Sequence, residues 1–96
     1  MQLDRVLSIL NEVPDYKVFL TVDELNQSAH RLSEQYPDVV KCMEIGRSRA
    51  DDPIYALKIG SGKRTALMFA MPHPNEPIGS MMLEFLTEKL ATDDAF

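Results

Sequence analysis

Six consecutive apolar residues, Ala66-Leu67-Met68-Phe69-Ala70-Met71, constrain this chain more than any other stretch of it. A run of that length without alternation is the pattern of a strand buried on both faces, as in the sheets of α/β proteins. Such a strand needs cover on each side, so it predicts layers of helices around a sheet. The five residues that follow almost at once, His73-Pro74-Asn75-Glu76-Pro77, then fall where the carboxyl end of the strand would be. Ligands in open α/β sheets bind at that end.

The loop has its own signature. An imidazole and a carboxylate three residues apart provide one nitrogen and one oxygen donor, two-thirds of a His/His/Glu catalytic zinc set. The residue before a proline is pushed out of the α region, so His73 and Glu76 are both expected to be extended or turn-like. Pro77, with its fixed φ and no N–H, suits the first position of a helix. Taken alone, the pattern is also that of a plain turn that happens to carry a histidine and an acid.

The remaining elements are read from periodicity. Leu3, Val6, Leu7 and Leu10 fall at helical spacing, and Pro14 ends that helix. Thr21-Val22-Asp23-Glu24 is a capping box, a hydroxyl at the cap and a glutamate three on. Leu25, Ala29, Leu32 and Tyr36 then form one stripe that closes at Pro37. Val39 to Ile45 and Ile54 to Ile59 read as strands joined by a polar, turn-rich connection, a β-hairpin. Gly60-Ser61-Gly62-Lys63 breaks the chain before the apolar run. Ile78, Met81, Met82, Phe85, Leu86 and Leu90 make a wide apolar face on a last helix, which is core rather than a binding surface.

Composition sets the limits. A chain of 96 residues with 45% hydrophobic content is one globular domain at most, near the size where a single core is marginal. A net charge of −5 and the lack of a basic cluster argue against nucleic acid as partner. Cys42 is the one cysteine, so no disulfide framework exists, and its place in a strand-like run makes it a small buried apolar residue. No basic stretch precedes an apolar core at the amino terminus, and no stretch has the length of a membrane span, so a cytoplasmic protein without a membrane partner is expected. Gly62-Lys63 fails as a phosphate loop, because Leu57 and Arg64 stand where glycine and a hydroxyl residue are needed. Gly60-Ser61-Gly62 fails as a dinucleotide fingerprint with Thr65 in the third glycine position. His30 has no acid or cysteine at ligand spacing and is expected on the solvated surface.

From Thr21 to Leu90 the chain resembles the amino-terminal third of a zinc carboxypeptidase of the carboxypeptidase A type. Glu34-Gln35-Tyr36-Pro37-Asp38 matches the family's helix ending in Tyr-Pro before a strand. Gly46-Arg47-Ser48 matches its Gly-x-Ser turn, and Ile54-Tyr55-Ala56-Leu57-Lys58-Ile59 the strand after it. His73 and Glu76 match its His-x-x-Glu zinc ligands. Asp51 and Asp52 stand where the family usually has Gly-Arg, and Asn75 where some members carry a cleft-lining arginine.

The resemblance implies a partial three-layer α/β/α zinc-exopeptidase-like fold. Its mixed sheet would have about three strands, the hairpin plus the buried run, with three helices. It implies one incomplete domain over residues 1–96, with a leading helix and linker over 1–20 and the family-like region over 21–96. It further implies Zn2+ held in part by His73 and Glu76, and hydrolysis of carboxy-terminal peptide bonds. The second zinc histidine, the carboxylate-gripping arginines, the tyrosine and the general-base glutamate all come later in the family. No catalytic residue is therefore assigned in this chain, which on its own is expected to be inactive. Two alternatives stand beside this reading. One is a zinc amidohydrolase that removes an acyl group from an amino acid, so the substrate is a peptide or an N-acyl amino acid. The other is a non-enzymatic module that self-associates, and open strand edges lead us to expect homo-oligomers.

Overall fold

The computed structural model describes residues 2–93. Its elements are α1 (Leu3–Leu10), α2 (Val22–Gln35), β1 (Val40–Arg47), β2 (Pro53–Ile59) and α3 (Ile78–Thr92). The described residues are thus mixed α/β, with three helices and a two-stranded antiparallel sheet.

The capping box starts α2 as its residues dictate. The Thr21 hydroxyl accepts from the Glu24 N–H at 3.1 Å, and the Glu24 carboxylate accepts from the Thr21 N–H at 3.0 Å. Two of the helix's orphan donors are satisfied in this way. The helix ends at Gln35, with Tyr36 as its cap, one residue before Pro37. Leu32 is its buried residue.

The chain then enters the hairpin. Val40 pairs with Ile59, Cys42 with Leu57 and Glu44 with Tyr55, and a bulge between Glu44 and Gly46 takes Ile45 out of the ladder. Alternation assigns the faces. Val40 is buried, and Cys42, Tyr55, Leu57 and Ile59 are half-buried, so this face meets the helices. Helix α2 packs on β1 and on α3, and α3 reaches β2. Met43, Ile45 and Ile54 are exposed on the hairpin. The connection is tied by Ser48, whose N–H donates to the Asp52 carbonyl at 2.8 Å. Arg47 donates to the Asp51 carbonyl at 2.8 Å. Asp51 itself has φ 65°, the left-handed conformation that short polar residues tolerate.

One expectation is corrected. The third strand does not form. Residues 64–71 carry no strand, Leu67 and Phe69 are 87% and 78% exposed, and the sheet keeps two strands rather than the centre of three layers. The physical reason is the absence of a partner: an apolar run becomes a strand only when a neighbour takes its N–H and C=O groups.

Helix α1 forms where the spacing places it, but its leucines do not mark the side that meets the core. Leu3, Leu7 and Leu10 are exposed, whereas Ile9 is buried and Arg5 and Val6 are half-buried. Polar contacts to α3 account for the rotation. Arg5 pairs with Asp93, Lys89 with Glu12, and the Tyr16 hydroxyl donates to Glu84 at 3.4 Å. Arg5 and Ile9 lie four apart on one helical face, so drawing Arg5 towards α3 brings Ile9 inward.

Candidate metal site

Residues 60–77 carry the chain from the end of β2 to α3 as one irregular segment. Gly60, with φ 79°, turns it out of the strand. Near its end, Ala70 rests against the first turn of α3: a Cβ placed on Gly79 would come 3.2 Å from the Ala70 Cβ. Met71 has φ 59°, unusual for a long side chain, and bends the backbone into the His73 loop.

In that loop the Glu76 N–H donates to the His73 carbonyl at 3.1 Å, closing a turn over Pro74 and Asn75. Neither His73 nor Glu76 is helical, and α3 starts at Ile78 with Pro77 as its cap, one residue later than the proline rule places it. The turn sets both functional side chains on the same side. His73 Nδ1 stands 4.0 Å from Glu76 Oε1, and the two side chains are 69% and 70% exposed.

The donor set fits zinc in kind. Two donors on a tetrahedral zinc, at bond lengths of about 2.0–2.1 Å, stand roughly 3.4 Å apart. Rotation of two exposed side chains closes the remaining gap without moving backbone. The number of donors does not reach a full set: among the described residues, no three His, Cys, Asp or Glu side chains converge on one point. A catalytic zinc takes three protein ligands, one more than this loop brings together.

The other candidates fall away. His30 is exposed, and its ring meets Tyr55 edge-on with centroids 4.6 Å apart. That contact crosses from α2 to β2. No spacing rule points to it, because the pairing depends on how the helix lies over the hairpin. Burial pushes the Cys42 thiol up from its ordinary value, which suppresses the thiolate, as expected of a packed cysteine. A cleft of about 560 Å³ lies between the segment after α1 and the outer face of α3, lined by Val13, Phe19, Ile78, Met82 and Phe85. No His, Cys, Asp or Glu is among the residues that line it. The apolar face expected on α3 is therefore divided, with Met81 buried in the core and Ile78 and Met82 exposed towards this cleft. Among the described residues, no helix is long and apolar enough to cross a membrane.

Comparison with known proteins supplies the family. The family model for zinc carboxypeptidases matches residues 25–95, which includes the hairpin, the His73–Glu76 loop and the described part of α3. No curated protein matches the chain.

Proposed function

The chain belongs to the zinc carboxypeptidase family, and from that premise we propose that it supplies two of the three zinc ligands of a peptidase that hydrolyses carboxy-terminal peptide bonds. The ligands are the His73 imidazole, through Nδ1, and the Glu76 carboxylate. The single observation behind this reading is their geometry: one tight turn brings a nitrogen and an oxygen donor within 4.0 Å, inside the residues that the family model matches.

When bound, zinc would polarise the scissile carbonyl and lower the pKa of a coordinated water. The chain's own contribution is placement. Pro74 and Pro77 limit the φ/ψ freedom of the loop, and the Glu76 N–H bond to the His73 carbonyl holds the donors on one side. Glu76 acts as ligand, so it is not available as the base that moves a proton to the leaving amine. The third ligand and that base belong to residues outside this set, and the chain alone is inactive. A zinc amidohydrolase acting on N-acyl amino acids would use the same pair; the match to the carboxypeptidase model favours the peptide substrate.

Zinc titration followed by the His73 ring resonances in NMR tests the assignment without any need for turnover. Two donors give weak binding, with Kd on the order of micromolar to millimolar, because the third ligand is missing. His73→Ala and Glu76→Ala should each weaken it by about tenfold or more, the range in which loss of a supporting ligand contact is felt. His30→Ala should leave it unchanged. Zinc that leaves the His73 ring untouched, or that follows His30 instead, would sink the proposal.

A further inference from the structure

We infer that the open end of the hairpin binds a small oxyanion of the phosphate class, held by Lys41, Lys58 and Ser61. Two features carry this, both apart from the zinc loop: like charges that the strand register forces together, and a polar cleft that lies against them.

The register comes first. β1 and β2 pair Lys41 directly with Lys58. Residues opposite one another in an antiparallel ladder share a face, with Cβ atoms about 4.5–5.5 Å apart. Val40 and Ile59 are the neighbouring pair and turn towards the helices, so alternation puts the two lysines on the other face, where both are exposed. Like charges placed this way repel and weaken the ladder, and an acid within reach would be the ordinary remedy. Neither lysine has one. Among the described residues, no ion pair or hydrogen bond engages either ammonium group.

The register alone would leave a solvated face. The chain beyond β2 closes it into a cleft. The Gly60 N–H donates to the Val39 carbonyl at 2.9 Å, one step past the last strand pair, and Gly60, with φ 79°, turns the backbone at that end of the hairpin. Ser61 thereby lines the same cleft as the two lysines, about 150 Å³ in volume, together with Asp38, Val39 and Gly60. The Ser61 hydroxyl and N–H and the Gly62 N–H have no partner among the described residues. Asp38 is the one acid in the lining and pairs with neither lysine, so two cations face one carboxylate. Gly60-Ser61-Gly62-Lys63 lacks the spacing of a phosphate loop, yet the strands bring it the cations from elsewhere in the chain.

Size and charge select the ligand class. A lysine ammonium is a compact charge with three donors, suited to an oxyanion with several acceptor oxygens. A dianion offsets both lysines, whereas a single carboxylate offsets one. The cleft is smaller than the roughly 300–1,000 Å³ of sites for drug-sized ligands. It therefore fits inorganic phosphate, or the phosphoryl end of a larger molecule. The net charge of −5 opposes the approach of any anion, so the attraction is local and sensitive to salt.

The test titrates the whole chain, without metal, with inorganic phosphate against chloride at matched ionic strength, followed by the amide resonances in NMR. Residues 41, 58, 61 and 62 should shift together with one Kd on the order of millimolar, since exposed charges attract weakly in water. Glycerol phosphate separates the two sources. An equal or weaker Kd assigns the site to the free ion, and a tighter one to a phosphoryl group on a larger molecule. Lys41→Gln and Lys58→Gln should each raise the Kd by about fivefold. Lys17→Gln, at a lysine paired with Asp15, should leave it unchanged. Lys58→Glu splits binding from stability: a carboxylate opposite Lys41 should raise the thermal midpoint without phosphate by about 1–5 °C and abolish the phosphate shifts. Shifts that chloride reproduces, or a phosphate Kd untouched by Lys41→Gln, overturn the inference. So does a lower midpoint in Lys58→Glu, because the two lysines would then not repel one another.

Discussion

The hairpin and the segment that follows it are built from similar material and come to opposite ends. Val40 to Arg47 and Pro53 to Ile59 pair with each other and form a ladder whose inner face is covered by helices. Residues 66–71 are more apolar than either strand, yet they form no strand among the described residues, and Leu67, Met68 and Phe69 are exposed. Hydrophobicity decides what a segment would gain by burial; a hydrogen-bonding neighbour decides whether it is a strand at all. The hairpin carries its neighbour five residues away across a turn. The apolar run has none within the described residues.

Truncating a side chain on each side of this contrast gives the largest difference. Leu32, buried in the helix over the hairpin, should cost about 2–5 kcal/mol as Leu32→Ala, enough to unfold much of so small a domain. Leu67→Ala, at 87% exposure, should stay within about 0.5 kcal/mol when the chain is dilute enough to be monomeric. Urea titrations of both variants measure the pair. A large loss at Leu67 in the monomer would mean that the run is buried after all, and the contrast would be void.

A smaller effect tests the turn that makes the hairpin self-sufficient. Asp51 is left-handed, so the β-branched substitution Asp51→Val should cost about 1–2 kcal/mol. Asp51→Gly should fall within about 0.5 kcal/mol, since it loses only an exposed ion pair with Arg47 at 3.5 Å. Equal costs for the two would show that the conformation at this position is not what holds the strands in register.

The helix cap that positions α2 over the hairpin comes next. Thr21→Ala should remove about 1 kcal/mol, read as a shift in thermal midpoint. Glu24 adds a pH signature. The Thr21 N–H and hydroxyl hold its carboxyl below the ordinary value of 4.5. The folded pKa is the lower one, so this contribution is complete above about 4.5 and is lost as pH falls through the depressed folded value. Glu24→Gln should flatten that part of the acid limb, and an unchanged limb would remove the cap from the account.

How far the sequence could be read follows the same division. The capping box, the hairpin, the proline-bounded loop and the last helix were legible because each is fixed by residues within a few positions of one another. The face of α1 was not, since Arg5 reaches Asp93 across nearly the whole chain and turns Ile9 inward against the apolar count. The run at 66–71 was misjudged for a related reason: composition reports the reward for burial and says nothing of who supplies the pairing. At the candidate site, spacing placed His73 and Glu76 in one non-helical turn, and the structure has them so.

The contact of Ala70 with Gly79 has a consequence in polymer terms. It brings together the ends of a loop that contains both donors, Met71 to Ile78, and a loop whose ends are fixed explores far less volume than the same residues on a free chain. Each donor is thereby held at a high effective concentration for the other. Gly79 sets how tightly the ends meet, because any larger residue there must push Ala70 away by a few tenths of an ångström. A position with no atom to offer a metal ion can still govern how often the His73 nitrogen and the Glu76 oxygen meet.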